Sequence, residues 1–240
     1  MMAIDPGFEK IDPTPDMPAG AVAVQLLNYS WESRATPVAA FKAGLKGDLR
    51  ISQLGRCCYC RRHLADPQVT HLEHFIEKSA FPEFRFEIPN LGLSCAVCNT
   101  QKLKVFIAFS QLLKQRVGAG KMNDPGVKVS QVLRSLAPVP NALPTLSDDY
   151  RWVHPHYDEY SVHICIERGW IFSWRSPKGR RTIKGLQLNA LAQLETRALQ
   201  ERLDARRGVL SVMIGAAAEL SYSQFTDVCK AVASTLRRAK

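Results

Sequence analysis

Two Cys-x-x-Cys pairs, Cys57/Cys60 and Cys95/Cys98, bracket a segment that also holds His74, and Asn99 directly follows the last cysteine. A pair separated by two residues lets one tight turn present both sulfurs to the same ion. Two pairs far apart in sequence then let that ion pin separate segments together. The four thiolates therefore predict a closed, tetrahedral, structural zinc site. Cys58 could replace Cys57, but the two-residue gap to Cys60 favours Cys57.

The residues that could do chemistry lie inside this clamp, in His71-Leu72-Glu73-His74-Phe75-Ile76, Pro89-Asn90-Leu91 and Cys98-Asn99-Thr100-Gln101-Lys102. A histidine titrating near neutrality can take a proton from water, and a hard cation held by few protein oxygens keeps positions open for phosphate and water. On this reading His74 is the base, and Glu73 with the side-chain oxygen of Asn99 holds Mg²⁺, Mn²⁺ or a similar ion. The chemistry is phosphodiester hydrolysis. Adjacent residues of a regular strand point to opposite faces, so Glu73 and His74 can share a site only if the strand ends or bulges there.

These residues need elements to position them. Thr36-Pro37 predicts a helix start, with Val38, Phe41, Leu45 and Leu49 recurring at helical spacing to about Gln53. Residues 69–76 read as a strand, with the segment from Phe84 to Ile88 as its partner. A helix begins near the second cysteine pair and carries Leu103, Phe106, Ile107 and Leu113 before Gly118 and Gly120 stop it. A loop at 118–127, a short helix near 129–136 and a proline-punctuated linker from Ala137 to Pro144 follow. Ser161–Glu167 and Trp170–Trp174 then predict a hairpin turned at Arg168-Gly169. From Thr182 onward, stripes such as Leu188, Leu191, Leu194 and Ala198, then Val209–Leu220 and Phe225–Leu236, predict two to four helices. The organisation is an extended, proline-rich arm (1–20), a core (21–117), and a hairpin plus helical region (118–240).

The 240 residues are 46% hydrophobic and 22% charged, an ordinary globular balance. Thirty-two basic against 22 acidic residues leave a net charge of +10, which favours a polyanionic partner, with nucleic acid first. The N-terminus is acidic and proline-rich rather than apolar, and no run is long enough to span a bilayer, so the expectation is a cytoplasmic chain without a membrane span. Seven cysteines in a reducing compartment are metal ligands and buried thiols rather than disulfides; Cys165 and Cys229, alone in apolar stretches, read as core. No Walker-type phosphate loop is present.

The string C-x-Y-C, E-H-F-x-x-K-S, P-N-L-x-L-S-C-x-x-C-N-x-x-K, over residues 56–104, resembles the HNH endonucleases, the ββα-metal or His-Me finger nucleases, in their four-cysteine form. The resemblance implies an α+β fold with a zinc-stapled, treble-clef-like ββα-metal core. It implies that His74 activates water, that Glu73 stands in the metal-ligand place more often held by aspartate or histidine, and that Asn99 takes the final ligand place. Asn90 then matches the middle asparagine, which ties the loop between the strands and positions the base, and Lys102 could contact phosphate. A weaker likeness, extending through Trp152–Asp158, His163-Ile164 and Thr182–Asn189, is to the HNH proteins of retron and Septu-type anti-phage systems. Glu77 stands where those proteins usually have proline, a departure read as touching the turn and not the chemistry.

His154, His156, Asp158 and His163 could form a second metal site, but no fixed ligand spacing recurs and structural hydrogen bonding or a subunit contact is favoured. Lys178, Arg180, Arg181 and Lys184, beside a Pro-Lys-Gly turn, could track a phosphate backbone. The expectation is a metal-dependent DNA endonuclease serving anti-phage defence beside an ATPase partner subunit. The alternatives are a zinc-stabilised nucleic-acid-binding or adaptor module with a silent site, or an RNA-directed nuclease.

Overall fold

The computed structural model describes residues 3–18, 23–64, 70–118, 130–134, 142–191, 193–194, 226–227 and 230. Along the chain these form β1 (Ala3–Ile4), α1 (Ala23–Leu26), α2 (Thr36–Ser52), β2 (Thr70–His74), β3 (Leu91–Cys95), α3 (Ala96–Gly118), α4 (Tyr160–His163), β4 (Ile164–Glu167), β5 (Ile171–Trp174) and α5 (Pro177–Gly185). Single 3₁₀ turns lie at Pro82–Phe84, Ile88–Asn90 and Ser147–Asp149. The chain divides into two compact units, 1–190 and 191–240. The first contains the arm, the cysteine segment and the later hairpin together. No helix among the described residues is long and apolar enough to cross a membrane.

The first unit is a mixed α/β body with two small antiparallel sheets. One is the hairpin β2–β3, in register from Thr70 opposite Cys95 to His74 opposite Leu91. The other has the order β1-β4-β5. Helix α2 forms as its spacing predicts and buries Val38, Phe41, Leu45 and Leu49. Its cap differs: Ala35, not Thr36, precedes the helix and offers no side-chain acceptor, while Pro37 sits in the first turn, where its missing N–H costs nothing.

The partner of β2 is Leu91–Cys95, not the segment from Phe84 to Ile88. The latter turns twice in 3₁₀ geometry, with Pro82 and Pro89 at the turn starts, where proline cannot donate to a ladder. All five residues of β3 are buried, so the period-two alternation that marks a strand is absent. Its free edge is closed by a side chain. Gln53 accepts from the Leu93 N–H at 2.7 Å and donates to the Leu93 carbonyl at 3.0 Å.

The predicted helix near 129–136 is also corrected, for 130–134 are bends and an isolated bridge between Leu133 and Tyr150. Arg134 N–H donates to Asp149 O at 2.8 Å and Arg151 N–H to Val132 O at 2.6 Å, strand-like pairings that outcompete a single helical turn. The later hairpin forms, but its first arm begins at Ile164 because Tyr160–His163 is helical. Gly169 and Trp170 both adopt positive φ in the turn. The expected helices at Val209–Leu220 and Phe225–Leu236 lie outside the described residues apart from isolated positions, as does Cys229; Cys165 is half-buried.

The arm is extended as expected, yet it packs on its own chain. Phe8 and Ile11 are buried, Ala3–Ile4 pairs with β4, and Ile11 N–H donates to Pro155 O at 2.8 Å. The segment Trp152–Asp158 lies behind the β2–β3 hairpin. His156 donates its Nε2–H to the Leu91 carbonyl at 2.7 Å, which leaves Nδ1 to accept from the Thr14 hydroxyl at 3.2 Å. His154 accepts the His156 N–H on Nδ1 at 3.1 Å and packs against Phe75, Tyr150 and Tyr157, each 4.3 Å away between ring centroids.

Burial holds both rings neutral, with His156 pushed down to about 4 and His154 well below its ordinary value. A histidine whose folded pKa lies below its unfolded value takes up a proton on unfolding. Stability is therefore full above about pH 6.5 and falls as the pH drops toward the folded value, at about 1.4 kcal/mol per pH unit for each ring. His156→Gln, whose amide can still donate to Leu91, should remove one such contribution. Urea titrations between about pH 6 and pH 4.5, with zinc content monitored, should show the slope reduced by about that amount; equal slopes would contradict the assignment.

Candidate functional site

Cys57 and Cys60 lie on the turn after α2, Cys95 ends β3, and Cys98 sits in the first turn of α3. All four are buried and their sulfurs lie within 4.8 Å of one another. Zn–S bonds of about 2.3 Å place tetrahedral sulfurs about 3.8 Å apart, and Cys60 Sγ and Cys95 Sγ stand at 3.9 Å. Backbone N–H groups support the sulfurs: Cys95 donates to Cys57 Sγ at 3.4 Å and Cys98 to Cys95 Sγ at 3.5 Å. The donor set fits a soft, four-coordinate ion.

Its electrostatics point the same way. Burial raises the Cys57 thiol, yet hydrogen bonds from Cys58, Cys60, Cys95 and Cys98 bring it well below its ordinary value. The Cys98 thiol, hydrogen-bonded to Cys57, Cys60 and Cys95 and buried, is pushed well up. Four such thiols cannot all ionise without a cation between them. Cys58 is outside this group and packs against Gly92.

The four cysteines bring the turn after α2 to the β3–α3 junction, and the hairpin ladder sets β2 beside β3. At that junction a cleft of about 470 Å³ is lined by Glu73, His74, Glu77, Asn99 and Lys102, with Trp31 on its wall. The strand ends at His74, so Glu73 and His74 reach the same cleft although adjacent residues alternate within a strand. Asn99, half-buried in the first turn of α3, faces them across it. Asn90 is fully buried: its Oδ1 accepts from Ile76 N–H at 2.6 Å, and its Nδ2 donates to the carbonyls of Ile76 at 3.2 Å and Phe84 at 3.1 Å. It thereby ties both sides of the β2–β3 connection.

His74 is held by two residues that its spacing could not announce. Its Nε2 lies 3.0 Å from the Arg85 carbonyl. A carbonyl only accepts, so Nε2 carries the proton and the Nδ1 lone pair is left as the base. Trp31 meets the ring edge to face at 4.3 Å. Arg85 is itself anchored, its guanidinium donating to the carbonyls of Tyr29, Leu27 and Pro82. Burial pushes the His74 pKa down to about 3, so the ring is neutral across the physiological range.

Lys102 is buried rather than extended into solvent. Its ammonium donates to the His74 carbonyl at 2.6 Å and pairs with Glu73 at 2.8 Å. Tyr59 donates to the same Glu73 oxygen at 3.4 Å. Burial pushes the Glu73 carboxyl above its ordinary value although Lys102 opposes the shift.

The basic cluster on α5 divides. Lys178 is buried, with its ammonium on Asp158 at 2.6 Å and on the Ser147 carbonyl at 2.7 Å. Asp158 also takes the His154 N–H at 2.6 Å and faces His163 Nε2 at 3.3 Å. Structural hydrogen bonds thus take up the histidine-aspartate group, apart from His154 Nε2, which is buried without a partner among the described residues. Arg180, Arg181 and Lys184 are exposed, and Arg180 lies over Trp174 at 5.6 Å. Arg181 and Lys184 join Arg134 and Arg151, absent from the sequence reading, around a second hollow of about 780 Å³ floored by Phe109 and Trp152. Among the described residues no acidic side chain lines it, and α3 forms a wall of both hollows.

No protein-family model matches the chain, and no curated protein matches it significantly. Geometry therefore carries the functional reading.

Structural zinc in small modules contributes about 10 kcal/mol or more of apparent binding free energy. Cys95→Ser should accordingly unfold the first unit, seen as lost near-ultraviolet circular dichroism, and one zinc per chain should be found in the parent protein. Well-folded protein without zinc would contradict the cluster's role.

Proposed function

We propose that the chain is a metal-dependent endonuclease of the HNH type, cutting DNA. The observation that carries this reading is that His74, its Nδ1 lone pair set by the Arg85 carbonyl, shares one cleft with Glu73 and Asn99. In this reading β2, β3 and α3, stapled by the cysteine cluster, are the ββα-metal core. Glu73 and Asn99 would hold Mg²⁺ or Mn²⁺, which when bound stabilises negative charge on the phosphate and the leaving oxygen. His74 takes the proton from the attacking water at Nδ1. Its depressed pKa keeps that atom unprotonated, and a phosphodiester entering the cleft would raise the ring's proton affinity toward the range useful to a base. Asn90 and Arg85 hold the loop and the ring in position, and Trp31 blocks one side of the imidazole.

The net charge of +10 and the hollow ringed by Arg134, Arg151, Arg181 and Lys184, of which Arg134 also pairs with Asp148 at 3.8 Å, support a nucleic-acid partner, since clustered cations suit a phosphate backbone. Phe109, half-buried on its lining, offers a face for base stacking. The chain has no motif for gating itself with a nucleotide. We therefore place it, with the Septu- and retron-type likeness, as the nuclease subunit of an anti-phage defence complex with an ATPase. Leu103, Ile107 and Leu112, exposed along α3, provide apolar surface for such docking.

One observation favours a second reading, a silent zinc-stapled nucleic-acid-binding or adaptor module: Lys102 already neutralises Glu73. Plasmid cleavage with Mg²⁺ or Mn²⁺ separates the two. His74→Ala should lose on the order of 100-fold to 10,000-fold in rate with zinc content and DNA binding retained. Equal rates for parent and variant would reject His74 as the base, and binding without cleavage by the parent would favour the silent module.

A further inference from the structure

The cleft contains a buried carboxylate that neither the zinc cluster nor the catalytic assignment uses. Glu77 is 7% exposed and lines the cleft beside Glu73, His74 and Asn99. Its Oε2 accepts from the Ser130 hydroxyl at 2.6 Å. Among the described residues its Oε1 is buried without a hydrogen-bond partner, and the Lys102 ammonium stands 4.0 Å from it.

A carboxylate oxygen left bare in a low-dielectric pocket is costly, and ionised pairs persist in such places only when their charges balance. Here they do not. The Lys102 ammonium stands within 4.0 Å of Oε1 atoms on both Glu73 and Glu77, one positive charge for two carboxylates. The other lining cation, Lys78, is paired with Glu32, and His74 is neutral. The Ser130 hydroxyl occupies the other Glu77 oxygen and so holds the side chain with Oε1 bare.

We propose that Glu77 is a ligand of the divalent cation in this cleft, completing with Glu73 and Asn99 an all-oxygen site whose position Lys102 contests. The inference rests on the nuclease reading above. A hard ion such as Mg²⁺ or Mn²⁺ takes carboxylate and amide oxygens and gains affinity with ligand charge. A second carboxylate therefore compensates for the Lys102 charge beside Glu73. It also gives the residue that replaces the usual proline a role in the site rather than in the turn alone.

Mn²⁺ binding to the zinc-loaded full chain, followed by electron paramagnetic resonance and by calorimetry, tests this apart from catalysis. The parent should bind one Mn²⁺, and Glu77→Gln should weaken that binding at least about tenfold, with zinc content and circular dichroism unchanged. His74→Ala should bind Mn²⁺ as the parent does. Lys102→Met, which leaves both carboxylates to the ion, should bind it more tightly and keeps the proposal testable if Glu77→Gln does not fold. Parent-like Mn²⁺ affinity in Glu77→Gln, or in Lys102→Met, would overturn the inference while leaving the nuclease reading intact. Failure of the parent itself to bind Mn²⁺ would overturn both.

Discussion

Four buried sulfur atoms, close enough to hold one metal ion between them, bring the turn after α2 and the β3–α3 junction of the first unit together. Without that tie the β2–β3 hairpin has five residues in each strand, a length that is marginal in water. The tie acts at the C-terminal end of β3. Cys57 and Cys60 fasten the turn after α2, and Cys95 and Cys98 fasten the β3–α3 junction. Because α3 begins at Ala96, directly after the strand, its direction follows from where Cys95 and Cys98 must place their sulfurs. Asn99 and Lys102 are then carried to the end of β2 by helical geometry alone.

The cleft that results is tuned by burial. The carbonyl of Arg85 sets the tautomer of His74, burial keeps the ring neutral, and the same burial makes the two carboxylates dependent on a cation. Lys102 meets part of that demand, so the site is held together by a charge that a divalent ion would have to move or tolerate. This links stability to the proposed chemistry: groups that hold the cleft together are the ones that would set metal affinity.

Cysteine spacing was legible because a metal imposes a spacing rule on sequence, and α2 because its apolar residues follow helical period. The strand β3 was misplaced by several residues because Leu91–Cys95 is buried on both faces and shows no alternation. Prolines at 82 and 89 define turns, yet in the sequence the intervening apolar residues read as a strand. Lys102 and Lys178 looked like surface cations; each is buried against carboxylates, Glu73 and Asp158 respectively, which lie distant in sequence. Trp31, the Arg85 carbonyl, Arg134 and Arg151 join their sites through tertiary contacts, and a backbone carbonyl has no signature in residue type.

On this reading two chemically different ions would serve two different places: a soft one among the cysteines and a hard one in the cleft beside His74. Anomalous diffraction from crystals of the zinc-loaded chain soaked in Mn²⁺, recorded at the zinc and manganese absorption edges, tests it directly. The expected result is a zinc peak enclosed by Cys57, Cys60, Cys95 and Cys98, and a separate manganese peak against Glu73, Glu77 and Asn99. Manganese absent from the cleft, or zinc absent from the cysteines, would contradict it.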